Sequence, residues 1–138
     1  MEYFHISSNN STIEEVKSLL KPGCKLVLTD DAKTRIIKCR EYLDNQMQNA
    51  KEPIYGITTG FGSLCNVSVD REQLSQLQVN LVMSHACGVG EEVPQEIVRL
   101  MLALKVKSLS YGYSGVRLET VERLVDMFNN DVIPVVYK

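Results

Sequence analysis

Residues 95–110 read QEIVRLMLALKVKSLS, directly after Pro94. A helix is expected here, running to about Tyr111. Its apolar positions (Ile97, Val98, Leu100 to Leu104, Val106 and Leu109) fall on nearly every side. Its charges, Arg99, Lys105 and Lys107, do not gather on one face, so each needs a partner or a route along which to snorkel. A helix apolar all round is packed all round, which is hard to arrange in a chain of 138 residues. The closing run VIPVVYK makes a matching demand, because no sequence remains to cover it. Both features point to a larger helical body, supplied by further sequence or by neighbouring subunits. The isolated chain is accordingly expected to be aggregation-prone or partly molten.

The rest of the chain reads as short helices with little strand. Ser11-Thr-Ile-Glu14 has capping-box spacing, and Ile13, Val16, Leu19 and Leu20 mark one face of a helix stopped at Lys21-Pro22-Gly23. Lys25 to Leu28 is expected to be a short strand. Thr29 can cap the next helix, with Asp30 and Asp31 in its electropositive first turn and a buried stripe of Ala32, Ile36, Cys39, Leu43 and Met47. Pro53 closes that region. A third helix begins at Asp70, with Leu74, Leu77 and Leu81 on one face, and Gly88 and Gly90 end it. A last helix, roughly Leu118 to Asn129, is amphipathic through Val121, Leu124, Val125 and Phe128, with Ser114-Gly115 as its cap and turn.

Composition narrows the function classes. The net charge of −2 comes from basic and acidic residues mixed along the chain, so there is no basic stripe for nucleic acid or an anionic membrane. The longest mostly apolar run, Ile97 to Leu104, is interrupted by Arg99 and spans no bilayer. MEYFHISSNN lacks the basic and apolar regions of a secretory signal. Cys24, Cys39, Cys65 and Cys87 form no CxxC pair, and with only His5 and His85 beside them no metal site is expected. Four reduced thiols in a cytoplasmic protein is the resulting expectation.

Between the helices lies YGITTGFG, residues 55–62, with three glycines. A P-loop would need GK[ST], and Gly60-Phe61-Gly62-Ser63 carries no lysine; a dinucleotide fingerprint would need glycine where Cys65 stands. An irregular surface loop is the plain alternative, although Ile54, Ile57 and Phe61 would tuck this segment against a body. Taken singly, Tyr55 reads as a rim or core aromatic. A tyrosine acting as base needs neighbouring charge or hydrogen bonds to bring its ordinary pKa of about 10 down. His85, four residues after Leu81, falls on the buried face of its helix and in isolation reads as a core histidine. Ser84 could equally bond back to its own helix.

In combination these segments are more specific. The ordered series YGITTGFGSL, LQVNLVMSHACGVGE, YGYSGVRLETVERL and IPVV closely resembles the N-terminal part of the aromatic amino acid ammonia-lyases, and among them the histidine ammonia-lyase branch. The resemblance is strong from about Pro53 to Val136 and weaker from Cys24 to Lys51. It implies a mainly α protein: an N-terminal segment of the all-helical ammonia-lyase fold, with short β elements and a glycine-rich loop. In those terms residues 1–138 are the N-terminal part of a larger enzyme. Residues 1–21 are a family-variable helical region, 53–66 the active-site loop, and 95–138 the truncated start of the central helices.

The resemblance also implies a homotetramer whose active sites combine residues of three subunits, acting on a small amino acid. Tyr55 occupies the position of the catalytic tyrosine, on a mobile loop over the site. Gly62 matches a loop glycine that approaches substrate, and Leu64 would line the pocket. Ser84-His85 matches the pair that sorts substrates: Phe-Leu resembles the phenylalanine enzymes, His-Leu the tyrosine enzymes, and Ser-His the histidine enzymes. An imidazole substrate brings a donor and an acceptor, each costing about 1–3 kcal/mol if buried unpaired. A histidine can meet either role, and a leucine neither. The implied reaction is elimination of ammonia from L-histidine to give trans-urocanate.

Two departures stand out. The family's electrophile is a methylidene-imidazolone (MIO) ring made from Ala-Ser-Gly, and no such triplet occurs in this chain; it is expected beyond Lys138. Lys105-Val-Lys107 stands where relatives commonly carry Arg-x-Asn, with consequences for packing near the central helices or for substrate range. The alternatives are a phenylalanine or tyrosine ammonia-lyase, an aminomutase of the same family, or a non-catalytic interaction fragment.

Overall fold

The computed structural model describes residues 2–49, 52–60, 62, 69 and 71–138. Its elements run β1 (Tyr3–Ile6), α1 (Ile13–Ser18), β2 (Lys25–Leu28), α2 (Asp30–Asn49), a 3-10 turn (Arg71–Gln73), α3 (Leu74–His85), α4 (Gln95–Ser110) and α5 (Leu118–Asn129). The chain divides into two units, residues 1–43 with 90–138, and residues 44–89.

In the first unit β1 and β2 pair in parallel, Tyr3 opposite Lys25 through Ile6 opposite Leu28. Parallel strands need a crossover of a dozen residues or more. Residues 7–24, with α1 inside them, provide it. The sequence reading anticipated β2 but not β1. Alternation sends Leu26 and Leu28 inward from β2 and Ile6 from β1, where they join Ala32 and Ile36 of α2, Leu102, Ala103, Val106 and Leu109 of α4, and Val121 and Phe128 of α5. Each fully buried aliphatic or aromatic side chain of this kind contributes about 1.5–3 kcal/mol.

The helix ends follow local chemistry, with two corrections. The α1 capping box uses Thr12 and Glu15 rather than Ser11 and Glu14. The Glu15 N–H donates to Thr12 Oγ1 at 3.2 Å, and the Thr12 N–H donates to the Glu15 carboxylate at 2.7 Å. Both pairs satisfy the spacing; the later one leaves Ile13 70% exposed and Leu20 44% exposed while Leu19 goes fully inside. At α2, Thr29 Oγ1 accepts the Ala32 N–H at 3.3 Å, as its sequence suggests. At α5 the cap is Arg117, without a side-chain bond, and not Ser114-Gly115.

Gly115 instead serves a close approach. Its φ is +67°, and a Cβ there would lie 2.5 Å from Leu43 Cδ2. Its N–H donates to Cys39 Sγ at 3.2 Å and its carbonyl accepts from Arg40 Nη1 at 3.3 Å. Gly112, at φ +74°, would meet the Arg35 backbone of α2 at 2.8 Å. The segment between α4 and α5 can cross α2 this tightly only without side chains at those two positions.

α4 is less enclosed than its composition suggests. Val98, Leu102, Ala103, Val106 and Leu109 are buried, but Ile97, Met101 and Leu104 are 46%, 49% and 45% exposed. Their i, i+4, i+7 spacing makes one continuous apolar stripe, because the first unit supplies packing to the opposite face only.

Two of the three cations of α4, Lys107 and Arg99, find partners, and Lys105 is exposed. Lys107 is buried, and its ammonium donates to the carbonyls of Ser7, at 2.6 Å, and of Asn9. Ser110 Oγ donates to the Lys107 carbonyl at 2.7 Å and to Ser7 O at 3.3 Å. Burial pushes the Lys107 pKa down, because the charged form loses water that the carbonyls only partly replace. Lys107 is thus held by the loop after β1. Arg99 lies 3.9 Å over the Phe128 ring, pairs with Asp131, and donates to Cys24 O at 3.2 Å.

Asn129 closes the edge of β2. Its side-chain amide accepts the Leu26 N–H at 2.7 Å and donates to Leu26 O at 2.9 Å, as a further strand would. The terminal run is held by an antiparallel bridge between Glu92 and Tyr137, with Val93 N–H donating to Val136 O at 2.8 Å. Val132 and Val135 remain 57% and 60% exposed.

Candidate active site

The sequence-designated residues all belong to the second unit, residues 44–89. Its glycine segment is a hydrogen-bonded turn. The Thr58 and Ile57 N–H groups donate to Ile54 O at 3.0 and 3.1 Å. Two hydroxyls reinforce it: the Ile54 N–H donates to Thr58 Oγ1 at 2.9 Å, and the Gly56 N–H to Thr59 Oγ1 at 3.2 Å. Thr59 is 1% exposed and passes its own proton to Gly60 O at 2.9 Å. The Val69 N–H donates to Thr58 O at 2.9 Å, tying the far end of the segment back to the turn. Ile54 and Ile57 are half-buried, as their place in the loop suggested.

Tyr55 rides on this turn with 62% of its surface exposed. The turn needs Gly56 at φ +71°, a region where a side chain is strained, so the residue after the tyrosine is glycine for backbone reasons. Gly62 lies at φ +55° with open space around the position of a Cβ. Glycine suits that position for its backbone conformation rather than for a close contact. Leu64 and Phe61 lie outside the described residues.

Sequence reasoning did not single out Thr58 and Thr59, which hold the turn. Their signal was the Thr-Thr pair between Gly56 and Gly60, since hydroxyls in turns accept backbone N–H groups that the ladder of a helix or sheet does not.

α3 carries the other two candidate residues, Ser84 and His85. Leu74, Leu77 and Leu81 are its half-buried positions, matching the expected face, but none of its residues is buried. His85 is therefore no core histidine, and the reading that put it on a buried face is corrected: helical spacing aligned it with Leu81, but Leu81 is itself only half-buried and α3 has no buried residue. It is exposed at the last helical residue, and Ser84 is exposed beside it.

The two side chains are joined. Ser84 Oγ donates to Leu81 O at 2.8 Å, and His85 Nδ1 lies 2.9 Å from both Leu81 O and Ser84 Oγ. Ser84 thus does bond back to its helix, and in doing so meets the imidazole. Val79, Val82 and Met83, at 52%, 68% and 71% exposure, give the helix an apolar flank around this polar end.

Among the described residues no group of three His, Cys, Asp or Glu is placed to hold a metal, and no helix is long and apolar enough to cross a membrane. Cys24 is a buried free thiol whose pKa is pushed up mainly by that burial, and it lies in the first unit.

Comparison with known proteins agrees with the resemblance. Residues 11–138 match the family model described as aromatic amino acid lyase. The chain is 45% identical over 131 residues to the histidine ammonia-lyase of Caldanaerobacter subterraneus subsp. tengcongensis, covering 95% of this chain and 26% of that protein. The crystal structure of histidine ammonia-lyase from Trypanosoma cruzi superposes with a TM-score of 0.80 at 35% identity, over 94% of this chain and 24% of that one. The tyrosine aminomutase from Streptomyces globisporus gives 0.83 at 29% identity, over 92% and 24%. The chain spans about a quarter of the length of the curated relatives it matches. With the family model matching all but its first ten residues, the chain belongs to the aromatic amino acid lyase family.

Proposed function

We propose that this chain is part of an ammonia-lyase that eliminates ammonia from L-histidine to give trans-urocanate. The observation that carries the reading is the Ser84-His85 pair, exposed at the end of α3, in a chain 45% identical to a histidine ammonia-lyase. An imidazole ring offers hydrogen-bonding atoms that His85 can answer, whereas a phenyl ring has none.

In this reading Tyr55, as phenolate, takes a proton from the substrate Cβ while the amine departs from Cα and the Cα–Cβ double bond forms. Ammonia is a poor leaving group, and the family meets this with an electrophilic MIO ring. No Ala-Ser-Gly is present among these 138 residues. What this chain supplies is a base on a hydrogen-bonded turn, room beside Gly62, and a polar end on α3 for the ring; Leu64 would line the same pocket. Closure over substrate would exclude water and fix the reacting atoms. The enzyme is taken as a cytoplasmic homotetramer with composite sites. Such an assembly would cover the apolar stripe of α4 and the exposed flank of α3.

The test is to express the full-length gene and follow urocanate absorbance with L-histidine and with L-phenylalanine. Product from histidine is expected. Turnover of another aromatic amino acid with none from histidine rejects the substrate. The likeness to a tyrosine aminomutase favours one second reading, migration rather than loss of the amine. A β-amino acid among the products would establish it. A stop codon directly after Lys138 would favour a non-catalytic interaction fragment, and an encoded Ala-Ser-Gly the enzyme.

A further inference from the structure

We infer that Ser84 is a positioning residue: with the Leu81 carbonyl it holds His85 in the Nδ1–H tautomer, so that His85 meets the substrate as a hydrogen-bond acceptor at Nε2 and selects a ring bearing an N–H. The inference rests on the proposed histidine reading and narrows it, since a histidine side chain alone could serve as donor or acceptor.

The geometry decides between the tautomers. A carbonyl oxygen only accepts, and Leu81 O lies 2.9 Å from His85 Nδ1. An unprotonated Nδ1 at that distance would set two lone pairs against each other. Nδ1 therefore carries the proton. Ser84 completes the arrangement, because its hydroxyl proton goes to Leu81 O at 2.8 Å, which turns the oxygen's lone pairs towards Nδ1 at 2.9 Å. The Nδ1–H is thus shared between two acceptors, both fixed to the last turn of α3. Nε2 is left with a lone pair, on a residue that is exposed. The second nitrogen of an imidazole takes its role from what the first one bonds. A serine just before the histidine is then part of the specificity device, which a leucine or phenylalanine could not be.

The experiment uses the full-length enzyme and competitive inhibition constants for three analogues of histidine. L-3-(thiazol-4-yl)alanine and L-3-(thiazol-5-yl)alanine place a ring-nitrogen lone pair at one or the other imidazole position and carry no ring N–H. L-3-(2-thienyl)alanine carries neither. With an acceptor at Nε2, both thiazolyl isomers inhibit within about twofold of the thienyl compound, and histidine is preferred over all three by about tenfold or more, the worth of one buried hydrogen bond. Ser84→Ala reduces that preference by about threefold or more, mainly through KM for histidine, while thienylalanine inhibits as before. Ser84→Thr, which keeps the hydroxyl, restores it. A thiazolyl isomer binding several-fold tighter than thienylalanine would make Nε2–H the donor and overturn the inference. So would a Ser84→Ala enzyme with its preference intact, or one that loses affinity for histidine and thienylalanine equally. In each of these cases urocanate still forms from histidine and the proposed function stands; absence of urocanate rejects both.

Discussion

The two units of this chain use their apolar residues differently. In residues 1–43 and 90–138, a strand pair, α4 and α5 bury Ile6, Leu26, Val106, Val121 and Phe128 to 1% exposure or less. In residues 44–89, α3 buries nothing, and its valines and methionine are more than half exposed. The residues assigned to chemistry belong to the second unit, and those that hold the fold belong to the first. A side chain enclosed by its own chain cannot meet a substrate, and the proposed site residues Tyr55, Ser84 and His85 are all exposed.

Hydrogen exchange on the 138-residue chain is the broadest way to break this comparison. Amides of α4, α5 and β2 should exchange only on extensive opening, and those of α3 by local fraying, a difference of about 3 kcal/mol or more in opening free energy. Similar protection in α3 and α4 would erase the distinction. This outcome also gives a place to the partly molten behaviour expected from the sequence: it should appear in α3 and not in α4 or α5.

Phe128→Ala comes next in size. It removes a ring that is fully buried and has Arg99 stacked on it, and should lower stability by about 3–5 kcal/mol in chemical denaturation. Gly115→Ala should cost about 1–3 kcal/mol, since a methyl would enter the space of Leu43 Cδ2 at an unfavourable positive φ. Gly62→Ala, at similar φ but with open space around it, should cost less than Gly115→Ala, which sharpens the contrast between an enclosed and an open glycine.

The smallest effect concerns pH. Asp31 has its pKa held below the usual carboxylate value chiefly by the hydrogen bond from Arg35, at 2.9 Å, with a further one from Ser8. A lowered folded-state pKa contributes stability that is present above the unfolded value of about 3.9 and is lost as pH falls through the folded one. Asp31→Asn should therefore flatten the acid limb of the stability curve slightly and leave neutral pH almost unchanged, the pair being exposed.

Much of the first unit was legible beforehand. Pro94 and a full apolar pattern set α4, and the spacing of Val121, Leu124, Val125 and Phe128 set α5 with the observed ends. What escaped was non-local. β1 is defined by a partner across a crossover, and Asn129 by a backbone group 103 residues away, so neither has a local signature. The α1 cap slipped by one residue because two overlapping capping boxes compete. His85 was misjudged for a related reason: periodicity says which side chains share a face, not whether anything lies against it. At the site, no single residue declared its chemistry. Tyr55, Gly62, Leu64, Ser84 and His85 became candidates through the ordered resemblance, and the physical reasons for their surroundings, the Thr58 and Thr59 bonds and the Leu81 carbonyl, became visible only in three dimensions.

The most direct measurement is the turnover number of the full-length enzyme with Tyr55→Phe, taken beside its thermal unfolding. If the exposed phenol is the base, kcat for urocanate formation should fall by about 10²–10⁴-fold, with a melting temperature shifted far less than by Phe128→Ala. A Tyr55→Phe enzyme that keeps kcat within about threefold of the parent, or that loses activity only in step with its stability, would contradict the account.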